Sequence, residues 1–205
     1  GGQGKSIDYG AGLGTNAQQL GVTDTFEPFP REGFDPTYQF SADIPANSYG
    51  QLISTNVLNV IPPEARKSAV QNIGEILEPN GMAVVQTRSA SAVNELKKSK
   101  TAVPQDEPAS YLTKDGTYQK GFTRDELVEY TQNILGDGFE VSKIPAKEMP
   151  NGSGVLIRKL PTLAAMGVGA SLLFPSEDAE AILPRHLRYG IPSEMKSIAL
   201  DAMAD

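Results

Sequence analysis

The segment best suited to chemistry is Ile7-Asp8-Tyr9-Gly10-Ala11-Gly12-Leu13-Gly14. Glycines that follow a short apolar run let backbone come close to a ligand. They also aim the N–H groups of a following helix at it. A dinucleotide fingerprint, G-x-G-x-x-G, needs glycine or alanine at its sixth place. Counted from Gly10, that place holds Thr15, and the last glycine falls one residue early, at Gly14. No Gly-Lys-Ser/Thr ends the run, which excludes a P-loop. Asp8 is awkward beside a pyrophosphate and well placed for a cationic amino group. Glu27 follows about twenty residues later, the spacing at which an acid reads ribose hydroxyls in doubly wound folds. A solvated loop acid is the plainer alternative for Glu27, and the glycine run before it tips the balance toward a ribose.

Such residues need a sheet to hold them. Ser6-Ile7-Asp8-Tyr9 reads as a first strand, and Thr15 begins the first helix. Thr25-Phe26-Glu27 reads as a second strand, ended by Pro28 and Pro30. Residues 38–42 are expected as a third and Gln51-Leu52-Ile53-Ser54-Thr55 as a fourth. Pro62-Pro63 opens a helix with Glu64 in its first turn, and Val70, Ile73, Ile76 and Leu77 give it an apolar stripe. Glu78-Pro79-Asn80-Gly81 is a turn signal before a buried fifth strand at residues 82–87. Thr123 with Glu126 forms a capping box at the head of another helix. Phe139-Glu140-Val141 and Val155-Leu156-Ile157 read as two late strands, with an antiparallel pairing open to them. Strands alternating with helices predict a parallel sheet. Residues 91–120 read as a helix start and a long polar loop.

Composition narrows the field. The 205 residues fit one domain with an appendage: a domain over 1–160 and an extension or linker over 161–205. Apolar residues at 39% suffice for a core, and 21% charged is too little for a disordered chain. A net charge of -7 gives no strong nucleic-acid signal, since sequence-blind binding relies on neutralising phosphates. There is no cysteine, and the single histidine, His186, has no ligand group near it in sequence, so no metal site is expected. The opening Gly1-Gly2-Gln3-Gly4-Lys5 does not read as a signal peptide. The longest apolar stretch, residues 160–174, is too short for a membrane span.

With these pieces in order, residues 8–14 resemble motif I of the class I S-adenosylmethionine-dependent methyltransferases. Glu27-Pro28 resembles the acidic motif that holds the ribose. Ala42-Asp43-Ile44-Pro45 resembles the adenine-contact loop, and Asn56-Val57-Leu58-Asn59-Val60-Ile61 the segment under the methionine moiety. Leu77-Glu78-Pro79-Asn80-Gly81-Met82 is similar to the family's turn before strand five. The resemblance covers roughly residues 5–160. It implies a doubly wound α/β fold: a mostly parallel, seven-stranded, Rossmann-like sheet with an antiparallel last strand, plus a C-terminal helical extension. It implies S-adenosylmethionine as cofactor and S-adenosylhomocysteine as product. Asp8 would face the methionine amino group, and Gly10, Ala11, Gly12 and Gly14 would pass beneath the cofactor. Glu27 would accept the ribose hydroxyls, with Pro28 or Phe29 against the adenine. Asp43 would accept from the adenine amino group, the Ile44 amide would donate to the ring, and Asn56 would lie near the sulfonium. The plainer reading of Asp43 is a loop acid or helix cap. Family members usually carry helices before strand one, and this chain reaches that strand at once. A looser resemblance is to methyltransferase-like domains that phages encode inside larger polypeptides. That would put the chain in the host cytoplasm or the virion, and otherwise in the cytoplasm.

The acceptor end is less legible. Asn59, Arg88, Tyr118 and Lys120 are the substrate candidates, Tyr118 to orient an acceptor and Lys120 or Arg88 to hold an anionic one. The bland alternative is a solvated loop with Tyr118 packed at its base. The Asn/Asp-Pro-Pro-Tyr/Phe signature of amino-methylating DNA enzymes is absent, since Val57-Leu58 follows Asn56. O or N acceptors therefore remain, and no catalytic base stands out. The extension carries short helix signals after Ser176 and Ser193, which need the domain or another chain to pack on. Two other classes stay open. One is a methyltransferase-like module without turnover. The other is a nicotinamide oxidoreductase, opposed by Asp8 and the Gly14 spacing.

Overall fold

The computed structural model describes residues 4–98, 102–150 and 152–161. The first strand, β1 (Ser6–Tyr9), runs into the glycines, and α1 (Thr15–Leu20) follows them directly. Gly14 and Gly21, both left-handed, start and stop this helix. Then come β2 (Asp24–Phe26), β3 (Tyr49–Thr55), α2 (Pro63–Ile76) and β4 (Leu77–Arg88). α2 begins where Pro62 and Pro63 fix the backbone, and it buries Ala69, Val70, Ile73 and Ile76. The expected turn at 78–81 is an irregularity inside β4, where Asn80 has φ 68° and the register against β3 shifts.

After β4 come α3 (Ala90–Asn94), capped by Ser89, and a small antiparallel sheet of β5 (Val103–Pro104), β6 (Ser110–Leu112) and β7 (Tyr118–Lys120). The long polar loop expected there is thus a folded insertion. Its β6–β7 hairpin turns at Gly116, with φ 76°. α4 (Arg124–Leu135) carries the capping box of Thr123 and Glu126. β8 (Phe139–Lys143) and β9 (Gly152–Lys159) follow.

The main sheet has the order β2-β1-β3-β4-β9-β8. β9 runs antiparallel to both of its neighbours, and β1 to β4 run parallel. Among the described residues this sheet has six strands, where seven were expected. Of residues 38–42 only Tyr38 makes a bridge, to Phe26, and Ser41–Asp43 curl into a 3-10 turn. The reason is burial. Only Tyr38 in that run is half-buried, while Phe40 is 68% exposed, so the run has no alternating face to pack.

From β1 the chain moves outward to β2, then returns past β1 to β3. Right-handed crossovers therefore put α1 and α2 on opposite faces of the sheet. The main core lies on the α2 and α4 face, with Ile7, Tyr9, Leu52, Ala83, Val85, Val155 and Ile157. Gly74 lets α2 approach closely, since a Cβ there would sit 2.6 Å from Leu135 Cδ2. A second cluster of Val84, Ile144 and Met149 fills part of the other face. The reversal in strand order leaves a crevice at the carboxyl ends of β1 and β3. The helices expected after Ser176 and Ser193 lie outside the described residues. Among the described residues no helix is long and apolar enough to cross a membrane.

Candidate functional site

A cleft of about 570 Å³ opens at that crevice. Tyr9, Gly10 and Gly12 line it from the end of β1, Glu27, Pro28 and Phe29 from the end of β2, and Asn56 and Val57 from the end of β3. Val60, Ile61, Ala65, Ser68 and Ala69 close the α2 side, and Arg31 and Ser41 also border the cleft.

The glycine loop is held from below. Gly10 and Ala11 donate to Phe26 O at 2.8 and 3.0 Å, and Gly14 donates back to Ala11 O at 2.8 Å. Gly10, Gly12 and Gly14 all have positive φ. A Cβ at Gly10 would lie 2.2 Å from Val57 Cγ2, and one at Gly14 2.3 Å from the Phe34 ring. At Gly12 a Cβ would meet nothing within 4 Å. Two of these glycines are therefore required by close packing. The third borders open space in the cleft.

Glu27 joins two sides of the site. Its Oε2 accepts from Gly12 N–H at 2.8 Å and its Oε1 from Phe29 N–H at 3.1 Å. Each carboxylate oxygen retains further acceptor capacity, because an ionised carboxylate offers about four lone-pair sites. Asp8 alternates with Ile7 and Tyr9, so it points to the face away from α2. It is 2% exposed, and Oδ2 has no partner. Burial first, then the charge of Glu27, pushes its carboxyl up to about 6. A buried carboxylate beside the glycine loop favours a cationic partner. Tyr9 is no base, since burial and then Glu75 raise its hydroxyl far above the ordinary range.

The structure brings Gly10, Gly12, Glu27, Pro28 and Asn56 to the cleft wall. Asp8, Ala11 and Gly14 are not in its lining: Ala11 and Gly14 belong to the glycine loop, and Asp8 is buried in β1 just before it. Asn56 takes a left-handed φ of 58° and donates its N–H to Gln86 O at 2.9 Å, which anchors the turn after β3. Asp43 is exposed and outside the lining. Ile44 is buried, and its N–H is already given to Ser41 O at 3.3 Å. Ser41 of the same turn borders the cleft instead.

None of the four acceptor candidates lines the cleft, and three of them, Asn59, Tyr118 and Lys120, meet where the turn after β3 touches the insertion. Lys120 is 1% exposed, and its Nζ donates to Glu126 Oε1 at 2.6 Å and Pro108 O at 2.7 Å. Its charge is spent inside the fold. The Tyr118 hydroxyl donates to Glu107 Oε2 at 2.6 Å. Asn59 is buried, and its carbonyl accepts from the Lys120 N–H at 2.7 Å. Arg88 alone is exposed. It borders a second, polar cleft of about 520 Å³ with Ser89, Ser91 and Glu95.

Sequence reasoning missed Arg66, which is fully buried in the first turn of α2. It stands four residues before Val70, on the same apolar stripe, and that spacing was the available signal. Among the described residues no cluster of His, Cys, Asp and Glu could hold a metal ion.

No family model and no curated protein matches the sequence. Solved structures do match in fold. A SAM-dependent methyltransferase from Methanosarcina mazei aligns with a TM-score of 0.53 at 15% identity, over 78% of this chain and 94% of its own. A possible histamine N-methyltransferase from Thermotoga maritima gives 0.52 at 16%, over 78% and 83%. The 1,6-didemethyltoxoflavin-N1-methyltransferase of Burkholderia thailandensis, solved with that molecule and S-adenosylhomocysteine, gives 0.51 at 17%, over 77% and 71%. At such identities the likeness is one of fold, the class I S-adenosylmethionine-dependent methyltransferase fold.

Proposed function

We propose that the chain binds S-adenosylmethionine in the cleft at the ends of β1, β2 and β3 and transfers its methyl group to an O or N acceptor. The observation that carries this reading is Glu27. It bridges the glycine loop at Gly12 and the β2 loop at Phe29, and so stands where two neighbouring hydroxyls of a ribose can be accepted. The unpartnered carboxylate of Asp8 suits an ammonium group, and the open side of Gly12 leaves room for a ligand against backbone. Pro28 and the exposed Phe29 offer an apolar surface for a flat ring. Asp43 and the Ile44 amide serve the adenine edge only if the 3-10 turn at Ser41–Asp43 opens, since that amide is committed to Ser41.

When bound, S-adenosylmethionine supplies an electrophilic methyl group, which takes the acceptor's electron pair while the sulfur keeps the pair of the broken bond. This chain's residues orient and exclude water. Val57, Val60 and Ile61 form an apolar wall that favours an in-line approach over hydrolysis. Arg88, exposed in the second cleft at the end of β4, is the cation for any carboxylate or phosphate that the acceptor carries apart from its reacting nitrogen or oxygen. Two of the structural neighbours are named as N-methyltransferases, one of them only as a possible one, so nitrogen heterocycles and amines come first in an acceptor screen.

The test is calorimetric titration with S-adenosylmethionine and S-adenosylhomocysteine. Micromolar binding of both supports the reading. A folded chain that binds neither overturns it. A second reading is favoured by one specific observation: Lys120 and Tyr118, both expected at the acceptor, are tied into internal pairs. Under it the domain binds the cofactor and serves as a module without turnover. Binding with no methyl transfer to any screened acceptor supports that reading.

A further inference from the structure

Arg66 has a partner on two separate parts of the molecule. Its Nε donates to Leu58 O at 2.8 Å and its Nη2 to Ile61 O at 3.2 Å. These carbonyls belong to the 56–61 turn, whose Asn56, Val57, Val60 and Ile61 line the cleft. Its Nη1 donates to both oxygens of Glu107, at 2.8 and 3.1 Å. Glu107 lies in the insertion and also accepts from the Tyr118 hydroxyl. The guanidinium sits among the rings of Tyr118, Phe122 and Tyr130, 5.3 to 5.9 Å from their centres. A buried guanidinium needs all of this, because an unpaired charge there costs several kcal/mol.

We propose that Arg66 is a positioning residue that locks the 56–61 turn to the insertion at 102–121, and so couples the order of the insertion to binding in the cleft. The coupling to binding rests on the methyltransferase reading, while the lock itself does not. Two further facts support the lock. The Lys120 N–H donates to Asn59 O at 2.7 Å, a second tie between the same two segments. Burial alone would raise the Glu107 carboxyl, but hydrogen bonds from Arg66 and Tyr118, and the charges of Arg66 and Lys120, outweigh it and hold it below the usual range. Glu107 is therefore the ionised half of the pair at neutral pH. An acceptor that settles on the insertion would be felt in the cleft, and by linkage a ligand in the cleft would be felt in the insertion.

The test is Glu107→Gln, which keeps the shape and removes the charge. Hydrogen exchange on the ligand-free chain should speed up at least fivefold both in 102–121 and in 56–61, with α4 and β9 unchanged. Faster exchange confined to the insertion, or none, overturns the lock. Titration with S-adenosylhomocysteine should then show affinity reduced about fivefold. Wild-type affinity together with a loosened 56–61 turn overturns the coupling. A wild-type chain that does not bind S-adenosylhomocysteine overturns the methyltransferase reading and the coupling with it, and the exchange data still decide the lock. If Glu107→Gln does not fold, Tyr118→Phe removes one hydroxyl from the same carboxylate. It should give the same exchange pattern at lower amplitude, and an unchanged 56–61 turn there overturns the lock.

Discussion

Asp8 combines a cost and a use. Its carboxyl titrates near 6 in the folded chain and near 3.8 in the unfolded one. The native state thus holds the proton more tightly, so Asp8 costs nothing at low pH and destabilises the fold as pH rises from about 4 through about 6. Asp8→Asn should therefore stabilise the chain at pH 8 by up to about 3 kcal/mol and change little at pH 4. Denaturant unfolding at the two pH values checks this, and equal effects at both would sink the assignment. The same variant should weaken S-adenosylmethionine binding, because the ammonium group loses its counter-charge. Glu27→Ala should cost roughly ten- to a hundredfold in affinity for S-adenosylhomocysteine, the worth of about 1.5–3 kcal/mol in hydrogen bonds to a charged group, with the unfolding midpoint little changed. Unaltered affinity in calorimetry would remove the ribose role. The place of both acids, at strand ends beside the glycine loop, was legible in the sequence from the apolar runs and the glycine spacing. Lys120 misled because a lysine in a polar loop reads as exposed, and only the fold shows Glu126 and Pro108 closing on it.

Helices with strong local signals appeared where the residues said they would. α4 is the clearest, with the Thr123 and Glu126 side chains each bonded to the other's backbone N–H. Thr123→Ala should cost about 1 kcal/mol, within a range of roughly 0.5–2, and lower the denaturant midpoint without altering its slope. Strands whose existence depends on distant partners were harder. Residues 38–42 have β-forming types but no second buried position, so tertiary burial overrode propensity there. The insertion erred the other way. Its Asp115-Gly116 turn between Tyr111-Leu112 and Tyr118 was a hairpin signal, hidden by the polar composition around it. Edge strand β2 is short, and the Thr37 and Thr25 side chains each accept from the other's N–H at 3.1 Å, which occupies backbone groups that would otherwise face solvent.

On the scale of the whole domain, the alternation of apolar runs and helical stripes was enough to predict a parallel doubly wound sheet. The strand order was not readable from it, because pairing depends on contacts far apart in sequence. A ligand that binds only the folded form stabilises by mass action, about 2.7 kcal/mol at a hundredfold excess over Kd. For a domain of this size that should raise the thermal midpoint by roughly 5–10 °C with S-adenosylhomocysteine. No shift at saturating ligand would argue against the cleft as its site. The position of β9 has a further consequence, for synthesis. Among the described residues it is the last strand in sequence, yet it sits inside the sheet, with residues 152–158 paired to 82–88 on one side and residues 155–159 to β8 on the other. While a ribosome is still making the chain, β4 has one open edge and β8 has no place to dock. Any product that stops short of residue 152 keeps that edge, with Val84 and Val85 on it, available to another nascent chain.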